Sequence, residues 1–349
     1  MRRYVIVGAG GVGGTIGGRL FARGHEVVLV ARGQHYRMLR GSGLRLGTPE
    51  GERLLAIPVV GDASKLEIHA DDVLILAVKS QDTVSLLDQL AGLPVDGEVA
   101  GTRLPVVCGQ NGVENERLAI RRFRYVYGMC VWLPASHLEP GVVLAYGAPL
   151  SGILDLGLYP AGVDQTAREV ARDLSDSGFD AQPRQHIMRW KYAKLLHNLG
   201  NALWAICGEG ERVDEVYRRA VDEGKTCLRV AGIDAATREE EVQRRGRQVR
   251  VTPVQGRKRP SNSSSQSLAR RTGTIEVDYL NGEIVMLGRR YGVPTPVNEA
   301  IQRVAGASAR ERRSPGSVPI ERLLRGIRED TVTDVGKTRP TNVRNPSAS

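Results

Sequence analysis

The chain has 349 residues, and its 49 Lys and Arg against 39 Asp and Glu give a formal net charge of +10. A content of 41% apolar and 25% charged residues is typical of globular proteins and excludes a fibrous repeat. No stretch approaches the ~18 apolar residues of a membrane span, no leader-like apolar segment follows the first residues, and the four cysteines lack metal-ligand spacing. We therefore expect a cytoplasmic protein with no membrane partner and no metal.

The first predicted elements form a βαβ unit. Residues 4–7 are a β-rich run that ends in glycine, a helical stretch continues to Arg23 with Gly24 behind it, and residues 26–31 are the next strand. The later pattern predicts a pair of short strands within 44–60, strands at 72–78, 104–108, 126–132, 142–147, 153–158 and 179–182, and a helix at 163–177.

The pattern becomes helical near residue 185. Helices are predicted at 186–207, 211–231, 237–249, 274–291 and 296–305, whereas 331–349 is polar and Pro-bearing, which is typical of a disordered tail. The sequence thus predicts an α/β domain over 1–185, an all-helical domain over 186–330 and a tail over 331–349. The oligomeric state cannot be derived from the sequence, and a homodimer is compatible with it.

The net charge has a local source. Residues 244–271 contain nine Lys and Arg and no acid, and the rest of the chain is near balance. We interpret this basic run as a solvated loop. The alternatives are a nucleic-acid patch, which the absence of aromatic residues disfavours, and the flank of an anionic ligand site.

The glycine-rich turn carries the first chemical signal. In Gly8-Ala9-Gly10-Gly11-Val12-Gly13, the first glycine permits a tight turn, Gly10 leaves room for a pyrophosphate, and Gly13 permits close helix packing. The following helix offers free N–H groups to phosphates. Because a strand precedes the turn and a helix and strand follow it, the motif predicts a dinucleotide-binding Rossmann domain.

Polar residues at predicted strand ends extend this site. Arg32 follows the second strand, where an NAD-type site carries an acid, and an arginine there can pair with a 2′-phosphate, which predicts NADP(H). Lys79 and Asn111 follow two further strands and are candidate contacts for the cofactor. The alternatives are a solvated Arg32 and a simple Asn-Gly turn at 111–112.

The helix over 186–207 carries the second signal. At ~100° per residue, Lys194, Asn198 and Asn201 fall within about 60° of one another on a helix that is otherwise apolar. A cation and two amides on one face need polar partners, which a bound hydroxy or keto acid could supply; the alternative is a solvent-facing stripe, whose partners are water. Lys191 lies on the flank of that face and is the rival for any catalytic role.

Six motifs lie one after another between residues 4 and 305. They are GAGGVG at 8–13, AVKSQ at 77–81, QNGVENE at 110–116, KLLHNLGNAL at 194–203, SSSQSLARRTGTIEVDYLNGEIV at 263–285 and GVPTPVN at 292–298. In these motifs the chain resembles the ketopantoate reductase (2-dehydropantoate 2-reductase) family. The resemblance implies NADPH-dependent reduction of a small 2-keto acid to a 2-hydroxy acid, on the route to pantothenate, between a Rossmann domain and a helical domain.

The resemblance also implies residue roles. Lys194 occupies the position of the family's proton donor, Asn198 that of a substrate-binding asparagine, Ser264 lies near the serine that holds substrate, and Glu276 matches an acid that supports the site. Asn201 departs from the family's second asparagine by one residue, and we expect it to bind substrate as well.

Further departures lie on the substrate side. Residues 265–268 (SQSL) replace the family's common Met-Leu-Gln-Asp, and the basic run is unusual. The reaction type is therefore better determined than the substrate. The alternatives are a reductase or dehydrogenase of the same family acting on another 2-keto or 2-hydroxy acid, and a non-catalytic NADP-sensing protein.

Overall fold

A computed structural model describes residues 2–335 of the chain. The strands are β1 (Arg3–Val7), β2 (Glu26–Val30), β3 (Leu44–Thr48), β4 (Gly51–Leu55), β5 (Val59–Val60), β6 (Asp72–Leu76), β7 (Pro94–Val95), β8 (Glu98–Val99), β9 (Pro105–Cys108), β10 (Tyr125–Trp132), β11 (Ala135–Ser136), β12 (Val142–Ala145), β13 (Gly147–Pro149), β14 (Ile153–Leu158) and β15 (Val249–Val251). The α-helices are α1 (Gly11–Ala22), α2 (Gly33–Ser42), α3 (Thr83–Ala91), α4 (Ala100–Arg103), α5 (Asn115–Ala119), α6 (Gln165–Asp176), α7 (Ile187–Cys207), α8 (Glu211–Val230), α9 (Arg238–Arg245), α10 (Ser263–Ala269), α11 (Asn281–Tyr291), α12 (Pro296–Arg310) and α13 (Ile320–Val335).

The main sheet has seven strands in the order β14-β10-β9-β6-β1-β2-β5. All neighbouring pairs are parallel except β10 and β14, which are antiparallel. Both faces are covered, because Tyr4 and Ile6 of β1 enter one apolar core and Val5 and Val7 enter the other. Burial on both faces explains why these strands read as continuous apolar runs.

A second sheet, in the order β11-β12-β3-β4, packs against α1 on the side away from the main sheet. Its β3–β4 hairpin is the strand pair that the sequence predicts within 44–60. Helix α1 therefore lies between two sheets, which fixes its N-terminus beside the carboxyl end of β1.

The C-terminal part is helical and centres on α7. This helix packs against α8, α10 and α12 and against β10 of the main sheet. Its leucines Leu195, Leu199 and Leu203 are buried in the helical cores. The α/β class with an N-terminal Rossmann-like sheet and a C-terminal helical region is confirmed, and the limits 1–185 and 186–330 stay a prediction.

Several predicted elements differ in detail. Residues 179–182 do not form a strand, because only Asp180 and the neighbouring Pro183 make isolated bridges to β14. Helix α9 ends at Arg245 because Gly246, at φ +47°, turns the chain into β15. The segment 274–291 begins as a 3₁₀ turn, Glu276–Tyr279, before α11. Helix α13 reaches Val335, so the predicted tail from 331 starts inside this helix, and the rest of that tail lies outside the described residues.

Two further expectations concern membranes and metals. In the described part of the chain, no helix is both long and apolar enough to cross a bilayer. The four cysteines are unpaired thiols. His69, Asp71 and Asp72 cluster at the start of β6, at the opposite end of the strand from the site described below, and the Asp72 carboxylate there pairs with Arg3 at 2.7 Å.

Candidate active site

A cleft of about 940 Å³ opens beyond the carboxyl ends of the central strands. One wall carries Gly10, Lys79 and Asn111 from the Rossmann-like part, and the facing wall carries Lys194 and Asn198 from α7. In open α/β sheets ligands bind beyond the carboxyl ends of the strands. The fold therefore brings together the two motifs that the sequence places about 180 residues apart.

The glycine-rich turn has the geometry that a pyrophosphate requires. Gly8 has φ +105°, and a Cβ on Gly13 would lie 1.9 Å from the Gly8 carbonyl oxygen, so both positions need glycine. A Cβ on Gly10 would meet no protein atom within 4 Å, and Gly10, Gly11 and Val12 line the cleft. Gly10 precedes α1 without any side-chain cap, so free N–H groups of the first turn are available to phosphate oxygens.

Cations surround this end of the cleft. Lys79 Nζ donates to the Thr274 carbonyl at 3.1 Å, and burial lowers the pKa of Lys79. Arg270 donates to the His137 carbonyl at 3.0 Å, and burial lowers the pKa of its guanidinium as well. Both side chains line the cleft, so they suit an anionic ligand.

Arg32 lies directly after β2, at the residue that precedes α2. Its side chain is 82% exposed and pairs with Asp82 at 2.9 Å. An exposed guanidinium beyond the second strand can bind a 2′-phosphate without disrupting the packing. The phosphate and the Asp82 carboxylate would then share the Arg32 guanidinium.

Lys194 faces the cleft from α7. Its Nζ lies 3.4 Å from the centroid of the Trp132 ring, a cation–π contact. The pKa of Lys194 is lowered to about 7, mainly by burial; Arg245 and Arg259 act in the same direction, and Cys130 opposes them. An ammonium with such a pKa can give up a proton near neutral pH.

Two asparagines follow Lys194 on the same helix face. Asn201 Nδ2 donates to Asn198 Oδ1 at 3.3 Å. Asn198 is 4% exposed and lines the cleft, and its Nδ2 has no hydrogen-bond partner within residues 2–335. A buried unpaired donor is costly, so this amide fits a ligand oxygen. His197 also lines the cleft and pairs with Glu241 at 3.1 Å.

Lys191 is placed differently. It is 3% exposed and does not line the cleft. Its Nζ forms an ion pair with the buried Glu116 at 2.5 Å and donates to the Gln110 carbonyl at 3.0 Å. Lys191 therefore connects α7 to α5 and to the loop after β9.

The remaining predicted residues have mixed placements. Glu276 lines the cleft, and its carboxylate accepts from the Ser80 N–H at 3.0 Å and the Ser80 hydroxyl at 3.2 Å, while burial raises its pKa. Ser264 is buried and does not line the cleft, whereas its neighbours Ser263 and Ser267 do. The roles assigned to these residues stay predictions.

Sequence reasoning did not single out Trp132, Arg245 or Arg259, all of which line the cleft. The available signal was the basic run itself. Arg245, Arg259 and Arg270 of this run are exposed but line the cleft, so for them the structure supports the flank of an anionic ligand site.

Together, the sheet, the glycine turn and the facing helix define a two-part oxidoreductase that uses a pyridine nucleotide. Family models give the particular family: residues 4–160 match Ketopantoate reductase PanE/ApbA, and 186–309 match Ketopantoate reductase PanE/ApbA C terminal. The chain belongs to the ketopantoate reductase family. It is therefore an oxidoreductase of that class, as the motifs predict.

Individual relatives agree with this assignment. The chain is 30% identical over 312 residues to a 2-dehydropantoate 2-reductase of Archaeoglobus fulgidus, covering 86% of this chain and 96% of that protein. It is 27% identical over 306 residues to the protein of that name from Pyrococcus horikoshii, covering 85% and 94%.

Solved structures share the fold. A PanE/ApbA family ketopantoate reductase from Ralstonia eutropha JMP134 superposes with a TM-score of 0.72 at 26% identity, over 89% of this chain and 99% of that one. D-mandelate dehydrogenase with NADH and anilino(oxo)acetate superposes with a TM-score of 0.75 at 23% identity, again over 89% and 99%.

Proposed function

We propose that this protein uses NADPH to reduce a 2-keto acid to the corresponding 2-hydroxy acid, with Lys194 as the proton donor. The observation that carries the proposal is the position of the Lys194 ammonium and the unpaired Asn198 amide, across the cleft from the glycine-rich turn. The names of the relatives make 2-dehydropantoate the first candidate substrate and pantothenate formation the expected pathway.

The residues of the cofactor wall fit a dinucleotide. The open space at Gly10 and the uncapped first turn of α1 suit the pyrophosphate, and Lys79 and Arg270 supply positive charge beside it. Arg32 would pair with a 2′-phosphate, and Asn111 would contact the nicotinamide end. When bound, the reduced nicotinamide supplies the hydride.

On the facing wall, Lys194 would point at the keto oxygen. As hydride reaches the keto carbon, negative charge grows on that oxygen, and the ammonium both stabilises the charge and donates the proton. Because the pKa of Lys194 is lowered to about 7, proton donation is easier than from an ordinary lysine.

The amides would hold the substrate in position. Asn198 Nδ2 is available to a carboxylate or hydroxyl oxygen, and Asn201 orients it through their mutual hydrogen bond. Such positioning fixes the distance between the keto carbon and the hydride donor. Glu276, through Ser80, would position the loop that carries Lys79, and Ser264 would act through its neighbours at the cleft.

The direct test is steady-state kinetics with 2-dehydropantoate and either NADPH or NADH. We expect turnover, with a higher kcat/KM for NADPH. A higher kcat/KM for NADH would contradict the cofactor assignment. No turnover with any 2-keto acid in a panel would contradict the proposed reaction and favour a nucleotide-sensing protein.

A further inference from the structure

Two arginines at the Lys194 end of the cleft have no acidic partner. Arg245 and Arg259 both line the cleft, and within residues 2–335 neither guanidinium has a hydrogen bond or an ion pair. Their neighbour Arg244 is the opposite case, because its side chain is 8% exposed and engages both Asp155 and Asp180. Arginines without a counter-charge on the wall of a cleft are suited to bind a carboxylate from the ligand.

Contacts with the main sheet and with β13 hold the end of α9 and the following β15 against the cleft. Arg244 donates to Asp155 at 2.5 and 2.7 Å and to Asp180 at 2.6 Å, so the end of α9 is attached to the edge of the main sheet. After the turn at Gly246, β15 pairs with β13. The guanidinium of Arg245 then lies 4.3 Å from the centroid of the Trp132 ring.

Arg245 and Lys194 therefore share one aromatic ring. The distances from the ring centroid, 4.3 Å for Arg245 Cζ and 3.4 Å for Lys194 Nζ, limit the separation of the two cations to less than about 8 Å. Arg259 is close enough for its charge to act on Lys194 as well. A carboxylate two or three carbons away from a keto group can span this separation.

The nearby acids do not neutralise these cations. Glu241 is engaged by His197 at 3.1 Å. Glu209 also lines the cleft but follows the end of α7, roughly 20 Å along the helix axis from Lys194. Glu276 is held by Ser80 at the cofactor end. A keto acid with one carboxylate would be satisfied by Lys194 and the amides, and would leave both arginines without a partner.

We propose that the substrate is a 2-keto acid with a second carboxylate, which Arg245 and Arg259 bind while Lys194 faces the keto oxygen. This inference rests on the proposed 2-keto acid reduction and selects among its substrates. It makes the two arginines specificity residues, and it gives the unusual basic run a function.

A matched pair of substrates tests the inference. 2-Oxoglutarate and 2-oxopentanoate have the same five-carbon chain and differ in the terminal group, which is a carboxylate in one and a methyl in the other. With NADPH, we expect kcat/KM for 2-oxoglutarate to be at least about tenfold higher, because a charge-assisted bidentate contact contributes about tenfold to a hundredfold. Equal values, or a preference for 2-oxopentanoate or 2-dehydropantoate, would overturn the inference.

Variants locate the effect. Arg245→Gln and Arg259→Gln should each lower the ratio of kcat/KM for 2-oxoglutarate to kcat/KM for 2-oxopentanoate about tenfold. Any change in the proton donor Lys194 alters both values equally and therefore cancels in this ratio. Arg257→Gln is the control, because Arg257 belongs to the same run but pairs with Glu139 and does not line the cleft. If Arg245→Gln and Arg259→Gln lowered kcat/KM equally for both substrates, the two arginines would not bind the second carboxylate.

Binding separates this inference from the proposed function. If no keto acid is turned over, the proposed reaction fails, and calorimetry with glutarate and pentanoate on the NADP⁺-loaded protein still decides about the arginines. We expect glutarate to bind at least about tenfold more tightly than pentanoate and to lose this advantage in Arg245→Gln. Equal affinities would overturn the inference.

Discussion

The two walls of the cleft are built by different means. The phosphate-binding part of the cofactor wall is made of backbone: Gly8, Gly10 and Gly13 shape a turn in which the space for the ligand is set by the absence of side chains. The facing wall is made of charged and amide side chains from α7, α9 and the segment around Arg259. The glycine turn therefore selects the class of ligand by the shape of the space that it leaves open. The facing wall instead sets the chemistry and the substrate specificity through a few side chains that can be replaced.

The largest expected effect is on the side-chain wall. Lys194→Met should lower kcat about 10²- to 10⁴-fold, because general acid catalysis contributes that much, and should leave the melting temperature unchanged or higher, because a desolvated cation is removed. Steady-state kinetics and calorimetry measure the two quantities. A kcat within tenfold of wild type would remove Lys194 from the mechanism.

Lys191→Met gives the contrasting result on the same helix. Because it leaves the buried Glu116 without its partner, the free energy of unfolding should fall by about 3–5 kcal/mol, while kcat per folded molecule changes only a few-fold. Denaturant unfolding measures the loss, and the double variant Lys191→Met/Glu116→Gln should recover part of it. A stable but inactive single variant would transfer the catalytic role to Lys191.

A glycine pair tests the backbone wall. Gly13→Ala should lower the free energy of unfolding by about 1–3 kcal/mol, because its Cβ would meet the Gly8 carbonyl oxygen. Gly10→Ala, whose Cβ would enter open space, should keep its stability and weaken NADPH binding. Thermal unfolding and cofactor titration separate the two. Normal NADPH affinity in Gly10→Ala would mean that the pyrophosphate lies elsewhere.

The smallest effect concerns cofactor choice. Arg32 is largely exposed, so its pairing with a 2′-phosphate is screened by solvent. Arg32→Ala should therefore lower kcat/KM for NADPH only about three- to tenfold and leave the value for NADH unchanged. An equal decrease with both cofactors would show that Arg32 does not distinguish them.

The two walls also differ in how far the sequence predicts them. The glycine turn and the polar face of α7 depend on residues within one turn or helix, so local spacing was sufficient to bring Gly10, Lys194 and Asn198 into the prediction. The partner of Lys191 could not be found in this way, because Glu116 is 75 residues distant in sequence.

The basic run shows the same limit more clearly. Its composition is typical of a solvated loop, but the Arg244 side chain is held by Asp155 and Asp180, which lie outside the run. That contact directs Arg245 into the cleft. Such long-range ion pairs decide which arginines of the basic run face a ligand. They cannot be predicted from the spacing of residues within 244–271.

The most direct test of the account is the pH dependence of kcat/KM for 2-keto acid reduction at saturating NADPH. The groups around the Lys194 ammonium are Cys130 on β10, Glu241 and Arg245 on α9, and Arg259, and burial together with the two arginines lowers its pKa to about 7. Since the donor must be protonated, kcat/KM should be constant below about pH 7 and fall tenfold per pH unit above it. A profile that stays constant to pH 10, or rises with pH, would contradict a proton donor at Lys194.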